Sequence, residues 1–264
     1  MARQINLLLV RHAISEANLD NRVNARLPDN QVPLAPQGHD QAREAGDAIA
    51  KWLTEYRDTP GNGGIGGTRI LCSPYRRTRE TSAQIENVLT ERGIKFDRRE
   101  ELALREISFG LFDGIRDEEL PEKFPVEQAH YQKYVDFEGE FYAPMPMGES
   151  RAQVADRVKG VFGTIIRDNT PKPSKLGDDT AFPGFRVKNF IIVTHGVTLR
   201  AFMMQWLHLT PEWYEEQKNP NNASVTLIQG VSSDLYPTRY RTETIFEGFP
   251  HVRRKQDERE EGHL

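Results

Sequence analysis

Apolar residues fall along the chain in two alternating patterns: short, nearly unbroken runs and longer stretches at helical spacing. Residues 5–10 form a short run that ends in Arg11-His12, which reads as a buried strand. After Pro36-Gln37-Gly38, the positions Ala42, Ala45, Ala48, Ile49, Trp52 and Leu53 make one buried helical face. Residues 69–73, closed by Pro74, predict a second strand. A helix follows over about 76–92, with Ala83, Ile85, Val88 and Leu89 toward the core. Residues 102–106 read as a strand end or turn. Ser150 suits the N-cap of a helix carrying Val154, Val158, Val161, Phe162 and Ile165. Residues 187–194 are a strand ending in His195-Gly196, and 198–209 an apolar helix. Residues 224–228 and 236–240 form a closing strand pair.

Three stretches break the pattern. Residues 59–68 hold a proline and five glycines and read as a flexible surface loop. Residues 168–184 are a second loop of Pro, Gly, Ser and Asp. Residues 109–147, rich in Pro, Glu and aromatics, read as an irregular insertion or lid. Strands alternating with helices imply an α/β fold, a three-layer sandwich whose mostly parallel sheet is covered on both faces, with an inserted lid. One domain is expected over 1–250, its lid over about 109–148, followed by a charged tail over 251–264. No internal repeat is visible.

Composition narrows the classes. The formal net charge of -4 argues against a general nucleic-acid binder. The single cysteine, Cys72, excludes internal disulfides and cysteine-cluster metal sites. It is compatible with a reducing cytosol. No run reaches the eighteen or so apolar residues of a membrane span. The start Met1-Ala2-Arg3-Gln4 has no signal-peptide shape. The expectation is a cytoplasmic enzyme or binding domain with a small-molecule partner and neither nucleic acid nor membrane. Oligomeric state stays open, a homodimer included.

Reactive groups come from four segments: Arg11, His12, Ser15 and Asn18; Ser73-Pro74-Tyr75-Arg76-Arg77-Thr78-Arg79-Glu80-Thr81; Leu104-Arg105-Glu106 through Gly110 to Gly114; and Thr194-His195-Gly196. Several stand at strand ends, and in a parallel sheet such ends share one edge, where ligands bind. The converging pocket would be cationic with one carboxylate. That set fits phosphoryl transfer through a histidine. A neutral imidazole attacks phosphorus, guanidiniums hold the oxygens, and a carboxylic acid protonates the leaving oxygen. The set calls for neither metal nor cofactor, and the phosphate-cradling Gly-x-x-x-x-Gly-Lys pattern is absent.

Taken in order, these motifs resemble those of the histidine phosphatase superfamily, in its phosphoglycerate-mutase-like branch. That family has an Arg-His-Gly strand end, Ser-Pro-x-x-Arg, a Glu four residues before a Gly, and a late His-Gly. Asn221-Asn222-Ala223-Ser224-Val225 resembles its Asn-x-Ser-Val strand start. The likeness covers roughly residues 5–230, and the segments 73–81, 148–150 and 193–196 look most like broad-range acid phosphatases. It implies His12 as phosphate-accepting nucleophile and Glu106 as proton donor. It also implies Arg11, Arg77 and His195 on the phosphoryl oxygens, with Ser15, Asn18 and Gly196 as further contacts. Ala13 departs from the family's glycine. A mutase is the alternative, disfavoured by the acidic stretch Asp117-Glu118-Glu119, which would repel a carboxylate. A non-catalytic phosphate-binding module ranks third.

Simpler readings stand beside these. Arg76 and Arg79 compete with Arg77, and Glu100, Glu101 and Asp113 with Glu106. Ser15 reads equally as a turn cap. His39, His130, His208, His251 and His263 have no motif context. The lid aromatics Phe112, Phe124, Tyr131, Tyr134, Phe137, Phe141 and Tyr142 read as internal packing or as contacts to substrate.

Overall fold

The computed structural model of the protein describes residues 3–58, 67–170, 187–233 and 236–246. Its strands are β1 (Arg3–Arg11), β2 (Gly67–Cys72), β3 (Phe96–Glu100), β4 (Val187–Thr194), β5 (Val225–Ser233) and β6 (Tyr236–Phe246). They form one sheet in the order β3-β2-β4-β1-β5-β6. The first four of these run parallel to one another, while β5 pairs antiparallel with both β1 and β6. The sheet is therefore mostly parallel, as the sequence pattern implies.

Strand alternation assigns the two faces. Leu7 and Leu9 of β1, Phe190 and Ile192 of β4, and Leu71 of β2 meet one pair of helices, α6 (Arg151–Asn169) and α7 (Gly196–Leu207). Leu8 and Val10, Ile191 and Val193, and Ile70 and Cys72 turn the other way. They meet α2 (Pro36–Asp58) and α3 (Arg76–Glu91). The short helices α1 (Glu16–Leu19) and α8 (Pro211–Glu216) sit in connections. Among the described residues no helix is long and apolar enough to cross a membrane.

Several expectations need correction. Residues 109–147 are not irregular: they contain α4 (Leu120–Lys123) and the fourteen-residue α5 (Pro125–Glu138). Phe112, Leu120 and Met145 form a small core beneath them, with Phe124 and Tyr131 against it. Strand β3 has no counterpart in the sequence reading; of the strand end or turn expected over 102–106, the structure shows the turn, a 3-10 turn at Leu102–Leu104. Ala83 is exposed, on the solvent side of α3, and Ala48, Trp52 and Phe162 are only half-buried. Gly67 and Thr68 belong to β2, and Asp168 and Asn169 end α6. The remainder of both loops, and the tail, lie outside the described residues.

The N-cap at Ser150 forms as the sequence indicates. Its hydroxyl accepts from the Gln153 N–H at 3.1 Å, and the Gln153 side chain accepts from the Ser150 N–H at 2.8 Å. This box holds the end of α6 that also carries Arg157 toward the candidate site. Ser150→Ala should cost about 1 kcal/mol of stability, read as a lower urea midpoint with an unchanged m-value; an unchanged midpoint would show the cap to be redundant.

Candidate active site

The last register pair between the central parallel strands is Arg11 with Thr194. His12 and His195 follow directly, so the pairing sets the two imidazoles side by side. Their ring centroids are 5.3 Å apart with the planes at 60°. The His12 N–H donates to the Thr194 carbonyl at 2.9 Å, so the ladder continues through His12. Both histidines are buried.

The tautomer of His12 follows from its partner. Nδ1 lies 2.8 Å from the Ala13 carbonyl, which can only accept, so Nδ1 carries the hydrogen. Nε2 is left with its lone pair. Burial first, then Arg77 and Arg11, hold the imidazole well below its ordinary range, so it stays neutral. Burial, Arg77 and His12 do the same to His195. His195 Nε2 lies 2.8 Å from the Ser73 hydroxyl, which accepts from the Tyr75 N–H at 3.4 Å. With Ser73 donating to Nε2, Nδ1 is the nitrogen that bears hydrogen, and it is buried without a hydrogen-bond partner. Arg11 spends Nη1 on the Pro220 carbonyl at 2.5 Å, and its buried Nε likewise has no partner.

Arg77 reaches the site from the first turn of α3 and is buried, whereas Arg76 and Arg79 turn outward and pair with Glu80 and Glu100. The register of one helical turn resolves the choice among the three. Arg77 is not free: Nη1 and Nη2 fork onto the Asp29 carboxylate at 2.8 and 3.1 Å, and Nη1 also reaches the Asp29 carbonyl at 2.6 Å. Its guanidinium lies 5.2 Å from the Tyr75 ring, which packs edge-on against His195 at 5.0 Å. Sequence reasoning missed Asp29, Ser73 as a partner of His195, and Tyr75. The last two stand inside a quoted motif, but Asp29 stands in a loop with no local signal for a distant arginine.

Glu106 is held by a rigid loop. Four successive carbonyls receive side-chain donors: Ala103 and Glu106 from Arg157 at 2.6 and 3.0 Å, Leu104 from Thr194 at 2.8 Å, and Arg105 from Thr198 at 2.7 Å. Glu149 braces the same loop, accepting from Arg105, Arg157 and the Ser108 N–H. Glu106 Oε1 accepts from the Ile107 N–H at 3.0 Å and lies 3.2 Å from the Thr198 hydroxyl, leaving Oε2 to carry a proton. Burial raises the carboxyl and outweighs the nearby Arg77, so the acid form persists to higher pH. Glu100 is tied to Arg79 on the surface, while Asp113 is exposed and its carboxyl is also raised, chiefly by partial burial.

The remaining expected contacts are mostly braces. Asn18 is exposed, and its Oδ1 accepts from the Ser15 N–H and hydroxyl and from Asn222 Nδ2. Ser15 is buried in that turn, so of the two it is the Asn18 amide nitrogen that is left for a ligand. Gly196 opens α7, whose positive end faces the site; a Cβ there would meet the Asn219 side chain at 2.8 Å. Asn222 and the Ala223 N–H both donate to the His12 carbonyl, at 3.1 and 3.2 Å, which pins Ala223 at φ 58°. Thr81 accepts from the Ala13 N–H at 3.0 Å. His39 contacts Gln84, His130 packs on Tyr134 and His208 caps α7, all away from this cluster. His251 and His263 lie outside the described residues.

The family model of the histidine phosphatase superfamily, branch 1, matches residues 7–240. The chain belongs to the histidine phosphatase superfamily. It is 30% identical over 238 residues to the phosphoglycerate mutase-like protein AT74 of Arabidopsis thaliana, covering 90% of this chain and 69% of that protein. It is 24% identical over 306 residues to the broad-range acid phosphatase DET1 of Saccharomyces cerevisiae, covering 86% of each. A mycobacterial glucosyl-3-phosphoglycerate phosphatase, solved with VO3, shares the fold at a TM-score of 0.62 and 22% identity, over 90% of this chain and 97% of that one. An alpha-ribazole phosphatase from Shigella flexneri does so at 0.62 and 16%, over 90% and 95%. Phosphatases and mutase-like proteins thus both stand among this superfamily member's relatives.

Asp29 occupies three of the five Arg77 N–H donors and leaves Nε and one Nη2 hydrogen as a second fork. Asp29→Asn keeps the shape but removes the charge that anchors the guanidinium. KM for a phosphomonoester should rise about tenfold, equivalent to about 1.4 kcal/mol, with a smaller change in kcat. A lower KM in steady-state assays would mean that Asp29 competes with phosphate instead.

Proposed function

We propose that this superfamily member is a metal-independent phosphomonoester hydrolase. It acts through a phosphohistidine intermediate on a small organic phosphate with an aromatic or heterocyclic body. The observation that carries this reading is the pair of buried donors without protein partners, Arg11 Nε and His195 Nδ1, beside a neutral imidazole. A tetrahedral oxyanion supplies the acceptors they lack. Gly196 at the start of α7 and the Asn18 amide add to the same anion site.

In the first step His12 Nε2 attacks phosphorus, an N–P bond forms, and the P–O bond to the leaving group breaks. Glu106 Oε2 gives its proton to the departing oxygen. Arg11, Arg77 and His195 take up the charge on the equatorial oxygens. In the second step the Glu106 carboxylate removes a proton from water as that water attacks phosphorus. The N–P bond breaks, phosphate leaves and both residues return to their starting forms.

A mutase would need to hold a second substrate oxygen and, for a phosphoglycerate, a carboxylate. Asp117–Glu119 form an acidic 3-10 turn in the insertion, and Asp117 lines the cavity there, which favours hydrolysis. Cys72 is a buried free thiol whose burial pushes it up to about 11, which leaves it protonated and apart from the proposed chemistry.

His12→Ala and His12→Asn should abolish turnover, because neither side chain can form the N–P bond. Rapid quench of the wild type should trap acid-labile, base-stable phosphate on His12; near-normal activity in His12→Ala sinks the mechanism. Glu106→Gln should slow alkyl phosphates by about 10²–10⁴-fold and activated aryl phosphates far less. The pH profile separates acid from scaffold. With Glu106 raised and His12 depressed, the working pair is neutral imidazole and protonated carboxyl. kcat/KM for an alkyl phosphate should fall as pH rises through the raised Glu106 pKa, a limb that Glu106→Gln removes. Equal losses for both substrate types would make Glu106 structural.

A further inference from the structure

A cavity of about 530 Å³ is walled by the 109–117 turn, α5 and the loop that carries Asn24, and Phe109 in its wall stands three residues after Glu106. The two loops meet closely. Gly114, at φ +71°, would place a Cβ 2.7 Å from the Asn24 carbonyl oxygen, so no side chain separates them. Asp113 in the cavity wall is within electrostatic reach of Asp29 and Arg77, so this wall faces the side on which the proposed phosphoryl site lies. At about 30 Å³ per water, it holds on the order of eighteen waters. A three-carbon glyceryl body would fill only a small part.

The lining defines what suits it. Phe109, Phe112 and Tyr131 give aromatic surface, which favours a planar or C–H-rich face. The side-chain oxygens of Asn24 and Gln128, two lining residues, are buried without a hydrogen-bond partner. A buried acceptor left so is unfavourable, and a hydroxyl or N–H on an occupant offers the missing donor. The wall's guanidinium, Arg151, is engaged by Glu140 and Tyr131. Asp113 and Asp117 therefore set the field, against a second negative charge.

We propose that this cavity receives the body of the phosphomonoester and selects an uncharged, ring-bearing, donor-rich body of nucleoside size over a carboxylate- or phosphate-bearing one. The proposal rests on the phosphatase reading and adds the site and the chemistry of selection. Its residues are specificity determinants, outside the groups that act on phosphorus.

The test compares acetyl phosphate, adenosine 5′-monophosphate and 3-phosphoglycerate on the wild type, Gln128→Trp and Asp117→Lys. With phosphorus at the proposed site, the two-carbon body of acetyl phosphate is too short to fill the cavity. On the wild type, kcat/KM for the nucleotide should exceed that for 3-phosphoglycerate by about tenfold or more. Gln128→Trp fills the cavity and should lower the nucleotide's kcat/KM about tenfold while leaving acetyl phosphate within about twofold. Asp117→Lys, at an exposed position, should narrow the preference over 3-phosphoglycerate about fivefold. A wild type that prefers 3-phosphoglycerate, or substitutions that move acetyl phosphate and nucleotide together or move neither, would overturn the assignment. A wild type inert toward all three phosphates would instead overturn the phosphatase reading. Calorimetry with adenosine alone then still decides the cavity: binding to the wild type and its loss in Gln128→Trp support it, and no binding to the wild type refutes it.

Discussion

The register between β1 and β4 is the constraint on which the site depends. Two adjacent parallel strands end at Arg11 opposite Thr194, and one more residue on each brings two histidines into contact. A slip of one residue would turn His12 toward the opposite face and move every core side chain of β1 to the wrong layer. Leu7 and Leu9 on one face, and Leu8 and Val10 on the other, forbid that slip because both faces are covered. The hydrophobic layers thus fix a distance between two polar rings that never touch the core.

Burial has a cost that the site turns to use. Two imidazoles and two guanidiniums share a poorly hydrated corner, and burial first, with repulsion from the guanidiniums second, keeps the imidazoles neutral. Two carboxyl groups balance the cluster differently. Asp29 is matched to the Arg77 fork, whereas Glu106 is enclosed and held toward its acid form. Around these groups, backbone and side chain trade hydrogen bonds over long stretches of sequence. Thr81 holds Ala13, Asn222 holds the His12 carbonyl, and Arg157 holds the loop of Glu106. Gly38 shows how close this framing is, since a Cβ there would stand 2.1 Å from the Ile14 carbonyl oxygen.

Central elements were legible because their patterns are simple. β4 runs over Val187–Thr194 as its apolar run indicates, and Ser150 caps α6 as its place before a periodic stretch implies. β3 was not legible: Phe96-Asp97-Arg98-Arg99-Glu100 is charged because an edge strand faces water and pairs its arginines with Asp97, Glu86 and Glu100. α5 escaped notice because it lacks an apolar stripe, buries no residue fully and begins at a proline, Pro125, only four residues after Pro121. In the site, His12, Arg77, Glu106 and His195 stood out through motif order, and the structure brings them to one sheet edge. Asp29 and the cavity around Gln128 arise from contacts between distant segments, for which local sequence has no mark.

β5 runs against β1, so it presents its beginning, not its end, to the edge where the other strands finish. The turn at Asn222 and Ala223, more than two hundred residues after His12, is therefore the final piece to reach the histidine's carbonyl. A chain emerging from the ribosome holds both histidines and every arginine of the site well before this turn exists. The backbone at His12 thus waits for residues 222 and 223 to dock, and a chain that has not yet made them carries an imidazole whose carbonyl end is still unpinned.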